Sequence, residues 1–248
     1  MKKIIVANWK MHPDSLKEAK DNLLAIRKTA SKLRKVHTVV CPPAIFLSSL
    51  AVGCTLGAQD CFHEKQGPYT GQLSAAMLYK AGARYVIVGH SERRELGETN
   101  SQIARKIQCA FDAGLTPILC LGEKARDDHG FFLKNVEEQL TETLAGIAKK
   151  RAAALIITYE PVWAISAAAE RPATPEECNE MVLYIRKLLA GKIGIAAAKA
   201  VPVLYGGSVD AKNIGSFLQH GGVQGALVGH ASLDAKQFSA IMQIAESI

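Results

Sequence analysis

The stretch that decides the fold is Ala153–Pro161, which reads AALIITYEP. Its centre, Ile156–Tyr159, is a short β-branched and aromatic run without polar alternation, which is typical of a parallel strand covered on both faces. Glu160 follows this run. Pro161 lacks an N–H group and disfavours helical backbone at the residue before it. We therefore expect Glu160 at the C-terminal tip of a strand. Catalytic groups collect at these tips in barrels of parallel strands, so Glu160 is a candidate general base.

Length and composition limit the class of protein. The chain has 248 residues, of which 48% are hydrophobic, enough for a sizeable core. An α/β barrel commonly uses this length as one domain. No apolar run is long enough to span a bilayer, and the opening MKKIIVANWK becomes polar too early for a signal peptide. We therefore expect a cytoplasmic protein without a membrane partner.

The cysteines and the net charge bear on the possible ligands. The six cysteines include no C-x-x-C pair and lie mostly in apolar surroundings, which favours buried free thiols over a zinc site or disulfides. The formal net charge of +7 suits anionic ligands. Basic residues are dispersed among acidic ones and form no run interleaved with aromatic residues, so no nucleic-acid partner is expected.

Short apolar runs alternate with amphipathic stretches along the whole chain. Helices are predicted from Leu16 to Leu33, from Ser101 to Ala113 and from Asp234 to Ala245, with capping boxes at Ser15-x-x-Glu18 and Thr174-x-x-Glu177. Eight strands alternating with helical sequence, and no linker between them, predict an α/β fold: a closed (β/α)₈ TIM barrel forming a single domain over residues 1–248. The strands are predicted at Ile4–Trp9, Thr38–Cys41, Cys54–Gln59, Tyr85–Val88, Pro117–Leu121, Leu155–Tyr159, Val201–Tyr205 and Gly225–Val228.

In such a barrel the residues after each strand indicate the function. Lys10 follows the first strand, and by itself it is better explained as a solvated surface charge. His90 follows the fourth strand, and a histidine by itself is more often a satisfied core or surface residue. If both share a rim with Glu160, His90 becomes a candidate electrophile or proton shuttle.

Glycine-containing turns follow the seventh and eighth strands, at Gly206-Gly207-Ser208 and at Gly229-His230. Glycine permits close backbone approach, and N–H groups at such turns bind anions. These two loops are the usual phosphate site of a barrel. One Gly-Gly pair would be weak support, since it also suits a tight turn, but two such loops together favour a phosphate ligand.

Five ordered motifs closely resemble those of the triosephosphate isomerase family, from Ile4 to the last predicted helix. The resemblance implies an isomerase that interconverts dihydroxyacetone phosphate and D-glyceraldehyde 3-phosphate through an enediolate, the triose-phosphate step of glycolysis and gluconeogenesis. It implies no metal or organic cofactor. The motifs are NWKM at Asn8–Met11, VGHSERR at Val88–Arg94, YEPVWAI at Tyr159–Ile165, ATPEE at Ala173–Glu177 and YGGSV at Tyr205–Val209.

The resemblance also implies a role for each matching residue. Glu160 would move a proton between adjacent carbons, neutral His90 would polarise the carbonyl group, and Lys10 would stabilise developing negative charge. Asn8 and Glu92 would support them. The implied substrate and phosphate contacts are Asn8, Lys10, Ser166, Ser208, Gly229 and His230.

The chain departs from the family pattern at three places. The lid over residues 161–174 usually has a Gly-Thr-Gly tip, whereas Ser166–Pro172 reads SAAAERP and makes the lid two residues longer by alignment to the ATPEE motif. His230 replaces the second glycine of a usual pair, and its backbone N–H contact requires a φ compatible with a side chain. The resemblance implies a homodimer through the loop 67–73, in which Gln72 replaces a glutamate that usually pairs with the arginine matching Arg93.

Two alternatives to a working isomerase follow. The first is a barrel whose altered lid leaves it mainly a phosphometabolite-binding protein of low activity. The second is another phosphate-binding barrel enzyme, which the complete motif set disfavours. Turnover of glyceraldehyde 3-phosphate separates the first alternative from the isomerase.

Overall fold

The computed structural model describes residues 2–51, 53–127, 129–165 and 171–248. Parallel strands pair in sequence order, and the first strand also pairs with the last, which closes the sheet into a barrel. The predicted (β/α)₈ barrel is therefore confirmed, whereas the extent of a single domain over residues 1–248 stays a prediction. The strands are β1 Lys3–Asn8, β2 Val36–Cys41, β3 Thr55–Ala58, β4 Ala83–Val88, β5 Thr116–Leu121, β6 Ile156–Tyr159, β7 Val203–Tyr205 and β8 Gly225–Val228.

Helices connect the strands and cover the outside of the barrel. Short 3₁₀ turns at Val162–Ala164 and His230–Ser232 follow β6 and β8 at the rim, and a third lies at Ala44–Phe46. The helices are α1 Leu16–Ala30, α2 Leu47–Leu50, α3 Ala75–Lys80, α4 Ser91–Glu95, α5 Asn100–Ala113, α6 Phe131–Thr143, α7 Lys149–Ala152, α8 Pro175–Ile193, α9 Ile195–Ala200, α10 Ile214–His220 and α11 Ala235–Ser247.

The core has two parts, and β6 contributes to both. Ile156 belongs to the cluster formed by alternate residues of the strands, together with Val6, Ile118 and others. Ile157 and Tyr159 belong to the larger cluster that includes the helices. All four residues of β6 are buried, which explains why its sequence shows no polar alternation.

The observed ends of the elements differ slightly from the predicted ones. Strand β7 begins at Val203 and not at Val201, since Pro202 lacks the N–H group that a central strand uses. Both halves of the capping box between Thr174 and Glu177 are present. At α1 the Ser15 side chain accepts the Glu18 N–H, which is one half of the predicted box.

The cysteines are unpaired thiols, and the predicted burial holds for four of the six: Cys41, Cys61, Cys120 and Cys178 are buried, while Cys54 and Cys109 are half-buried. Burial raises the pKa of each of these thiols. They are therefore neutral at physiological pH. In the described ranges, no helix combines the length and the apolar character needed to cross a membrane.

Candidate active site

One cavity opens at the carboxyl ends of the strands. Its volume is about 580 Å³, and Lys10, His90 and Glu160 all line it, from β1, β4 and β6. The structure thus brings together the three predicted reactive groups. The turns after β7 and β8 complete the wall with Gly206–Asp210 and Gly229–Ala231.

Glu160 is 2% exposed although it carries a carboxylate. Its backbone N–H continues the barrel ladder to the Leu121 carbonyl at 2.8 Å. One carboxylate oxygen, Oε2, accepts the Ser91 backbone N–H at 3.0 Å, and the other, Oε1, lies 3.3 Å from Nε2 of His90. The side chain is therefore held by its neighbours from β4 and excluded from bulk water.

Two glycines make room for Glu160 in this position. A Cβ atom at Gly122 would overlap the Glu160 carbonyl oxygen, and a Cβ atom at Gly206 would lie 2.9 Å from Glu160 Cγ. Real side chains do not tolerate such contacts without movement of a neighbour. Gly122, after β5, therefore allows the close approach of the Glu160 backbone, and Gly206, after β7, leaves room for its side chain.

His90 immediately precedes α4, and its ring orientation follows from that position. The backbone N–H of Glu92 donates to His90 Nδ1 at 3.2 Å. Nδ1 is therefore an acceptor, and in the neutral ring the proton sits on Nε2. Nε2 is the nitrogen that faces Glu160, so neutral His90 presents a hydrogen-bond donor at the cavity.

Lys10 has a strained backbone that aims its side chain at the cavity. Its φ is +51°, and among the described residues it alone combines a side chain with a positive φ. Its N–H donates to Asn8 Oδ1 at 3.1 Å, and Gln59 Nε2 donates to its carbonyl at 2.7 Å and to that of Cys41 at 2.9 Å. Its Nζ lies 2.6 Å from Glu92 Oε1. Lys10 is thus a positioned, paired ammonium rather than a solvated surface charge. Sequence reasoning missed Gln59.

The turn after β8 carries Gly229 and His230, and these two positions differ in the room they leave for a side chain. A Cβ atom at Gly229 would lie 3.3 Å from Lys10 Cε, so a side chain there would require a small shift of the lysine. His230 has no positive φ and begins a 3₁₀ turn, with its side chain exposed at the cavity. The backbone there accommodates a side chain, as the prediction required. Ser208 Oγ donates to the Ala164 carbonyl at 3.2 Å.

The two ends of the predicted lid meet around one tryptophan. Trp163 Nε1 and the Tyr159 hydroxyl both donate to Glu123 Oε1 at 2.8 Å. The Arg171 guanidinium carbon lies 4.8 Å from the centre of a Trp163 ring and pairs with Glu177 at 2.6 Å. Burial raises the pKa of the Glu123 carboxyl, although the two donors work against it. Sequence reasoning missed Glu123 and Arg171, whereas Tyr159 and Trp163 belong to the YEPVWAI motif and Glu177 belongs to the ATPEE motif.

Ser166, predicted as a phosphate contact, lies outside the described residues, as does the rest of the lid from residue 166 to residue 170. That contact therefore stays a prediction.

The loop 67–73 and Arg93 lie beside this rim. Residues 67–73, including Gln72, are exposed. Arg93 Nε lies 3.1 Å from Asp60 Oδ2 in the same chain, and Asp60 also pairs with Lys106 at 2.6 Å. The resemblance implies that Arg93 pairs with a glutamate of another protomer. In this chain Arg93 pairs with Asp60 of the same chain instead.

Comparisons with known proteins agree on one family. The model of the family described as triosephosphate isomerase matches residues 3–245. A triosephosphate isomerase of Dehalococcoides mccartyi is 41% identical over 100% of this chain and 98% of its own length. One of Moorella thermoacetica is 41% identical over 96% of this chain and 97% of its own. The crystal structure of triosephosphate isomerase from Bartonella henselae superposes with a TM-score of 0.86 at 34% identity, covering 98% of this chain and 99% of that one.

Proposed function

The chain belongs to the triosephosphate isomerase family and is an intramolecular aldose–ketose isomerase acting on triose phosphate, and we propose which of its residues carry out the reaction. The single observation that carries the assignment is the convergence of three groups on one cavity: the Glu160 carboxylate, Nε2 of His90 and the Lys10 ammonium. These are a base, a hydrogen-bond donor and a positive charge, the groups that an enediolate intermediate requires.

We propose that Glu160 is the base. It takes the proton from the carbon beside the carbonyl group of dihydroxyacetone phosphate and returns it to the neighbouring carbon, which yields D-glyceraldehyde 3-phosphate. Its carboxylate is engaged with the Ser91 N–H at 3.0 Å, so the reaction requires it to exchange this contact for the substrate. The burial of Glu160 keeps water away from the carbanionic intermediate, which water would protonate at the wrong time.

His90 and Lys10 act on the oxygens. Neutral His90 donates from Nε2 to the carbonyl oxygen and shuttles a proton between the two oxygens of the enediolate. The Lys10 ammonium stabilises the negative charge that develops there, with Asn8 and Glu92 holding Lys10 in place. Because these donors are fixed before the reaction, the proposed mechanism requires no metal ion or organic cofactor.

The phosphate end of the substrate is assigned to the turns after β7 and β8. Within the described part of the chain, the backbone N–H groups of Gly207, Ser208 and His230 donate to no acceptor. All three residues line the cavity, on the side where Gly229 approaches Lys10. Unpaired N–H groups at such turns are suited to a phosphate dianion, which supports Ser208 and His230 as its contacts, and Gly229 lines the cavity beside His230.

Shortening the base tests the assignment. Glu160→Asp withdraws the carboxylate by one methylene, and a misplacement of about 1 Å can reduce turnover on the order of a hundredfold. We expect kcat for glyceraldehyde 3-phosphate in a coupled assay to fall by at least that factor. Glu176→Asp, an exposed change at the start of α8, is the matched control and should retain full kcat. Nearly full turnover of Glu160→Asp would refute Glu160 as the base.

We further propose a homodimer through the loop 67–73, in the cytoplasm. On this loop Tyr69 is 42% exposed and Leu73 is 43% exposed. Met11 after β1 and Ile45 after β2 are also exposed, at 90% and 78%. Since β1, β2 and β3 are neighbours in the barrel, these apolar side chains share one side of the rim, and such patches are typical of protein interfaces.

Gln72 does not weigh against this dimer. Arg93 already has a carboxylate partner in Asp60, so association buries no unpaired arginine charge there. Packing of apolar side chains, rather than a rim ion pair, generally dominates such interfaces.

A further inference from the structure

We propose that the His230 side chain is a ligand of the substrate phosphate, and that proton uptake by its imidazole accompanies binding of the dianion. The inference rests on the proposed function, because it adds a residue to the phosphate end of the same site. The resemblance implied only a backbone contact at this position, where the family usually has glycine.

The first support is the placement of the imidazole. His230 begins the 3₁₀ turn His230–Ser232, is exposed, and lines the same cavity as Ser208 and Lys10. The turn is fixed by the Ser232 hydroxyl, which donates to the Gly229 carbonyl at 2.7 Å. In the described part of the chain, the histidine rings with hydrogen bonds or ion pairs are those of His37 and His90, and the His230 ring has none. The imidazole is therefore available to a ligand in this cavity.

The second support is the charge of the surrounding groups on the elements that pack against this turn. From β1, Lys10 faces the turn, but its ammonium is already paired with Glu92 at 2.6 Å. At the start of α11, the Asp234 carboxylate accepts the N–H groups of Lys236 and Gln237. Lys236 adds a positive charge in the first turn of the same helix.

The turn after β7 contributes a negative group to the cavity wall. Asp210 lines the cavity, and its carboxylate accepts the N–H groups of Lys212 and Asn213. His90 and Glu160 stand at the reacting end. Lys10 is directed to the substrate oxygens and shares its charge with Glu92, so a phosphate dianion on the side of Asp210 gains a counter-charge of its own from a protonated His230.

The sign of the pH effect follows from this arrangement. A nearby dianion favours the charged imidazolium over the neutral ring. Binding of the anion therefore takes up a proton wherever the free ring is neutral, and affinity for the anion falls as pH rises.

Sulfate is the probe of choice, because it stays a dianion across the neutral range and does not titrate as phosphate esters do. Its dissociation constant would be measured by calorimetry at pH 5.5 and pH 8.0 for the wild-type chain, for His230→Gln and for His220→Gln. His220 is an exposed histidine at the end of α10, so it serves as the matched control.

We expect sulfate to bind the wild-type chain and the His220→Gln chain about tenfold more weakly at the higher pH, the size of effect that one charge-assisted hydrogen bond supports. His230→Gln should bind sulfate with little dependence on pH. An equal pH dependence in wild type and His230→Gln, or none in wild type, would overturn the proposal.

The proposed function is tested independently by measuring the turnover of glyceraldehyde 3-phosphate with the same wild-type sample. Turnover without pH-dependent sulfate binding would support the isomerase and refute the role of His230. Sulfate binding that depends on His230 and pH, in a sample without turnover, would support the phosphate ligand and contradict the isomerase.

Discussion

The glycine beside the proposed base offers a sharp test of how strictly the barrel fixes that base. Gly206→Ala adds a Cβ atom 2.9 Å from Glu160 Cγ and 2.5 Å from Thr158 Cγ2. Carbon atoms pack at about 3.5 to 4.0 Å, so Glu160 must retreat by roughly 0.5 to 1 Å or the turn must move. The Gly206 N–H donates to the Tyr159 carbonyl at 2.8 Å, which ties the turn to β6 and resists its movement.

The expected result is a loss of turnover larger than the loss of stability. Displacement of a base by up to about 1 Å corresponds to a decrease in kcat of roughly ten- to a hundredfold. Overpacking against Thr158 should lower the free energy of unfolding by about 1 to 3 kcal/mol. The coupled assay measures kcat, and urea unfolding measures the free energy of unfolding.

The matched control is Gly191→Ala in α8, where an added Cβ atom meets nothing within 4 Å. It should keep full kcat and gain about 0.5 to 1 kcal/mol from better helix propensity. If folded Gly206→Ala retained kcat within twofold, Glu160 would have to tolerate the added methyl group without leaving its catalytic position. That result would refute the claim that Gly206 is required to place the base.

Three further predictions concern assembly, the lid and a helix cap. Sedimentation at micromolar concentration should give the mass of a dimer, and a fully active monomer would exclude the loop 67–73 as an essential interface. Grafting an Ile-Gly-Thr-Gly lid of the usual length between Ala164 and Ala173 should raise kcat/KM and lower the methylglyoxal fraction, because tip glycines let backbone N–H groups reach the phosphate; equal values in both chains would contradict this. Thr174→Ala removes the cap of α8 and should destabilise the chain by about 0.5 to 2 kcal/mol in urea unfolding, whereas Thr174→Ser should be nearly neutral.

The fold was predictable from local patterns, because a buried parallel strand and an amphipathic helix each leave a short-range signature. Ile156–Tyr159 shows this for β6, and the spacing of apolar residues after Leu16 shows it for α1. Pro161 marked the end of β6 and so placed Glu160 at the rim. The start of β7 at Val203 and not at Val201 reflects Pro202 and the pairing with β6, and the apolar run from Val201 by itself shows neither.

The supporting contacts were not predictable, because they join residues far apart in the chain. Gln59 reaches the Lys10 carbonyl across 49 positions, and Tyr159 reaches Glu123 across 36. Gln59 and Glu123 belong to none of the five sequence motifs. The pairing of Arg93 with Asp60 likewise depends on how β3 and α4 meet at the rim. Sequence reasoning could note that a usual partner was missing at Gln72, but only the structure shows which carboxylate replaces it.

At position 10 the residue that would best stabilise the fold differs from the residue that the reaction needs. A left-handed conformation costs a residue with a side chain roughly 1 to 2 kcal/mol, and here Asn8 and Gln59 hold it in place. Glycine would remove this cost, offset in part by its greater chain entropy when unfolded. The half-exposed ion pair with Glu92 contributes little in return. A library of variants sorted by melting temperature alone would therefore lose the ammonium without penalty, and only sorting by turnover would retain it.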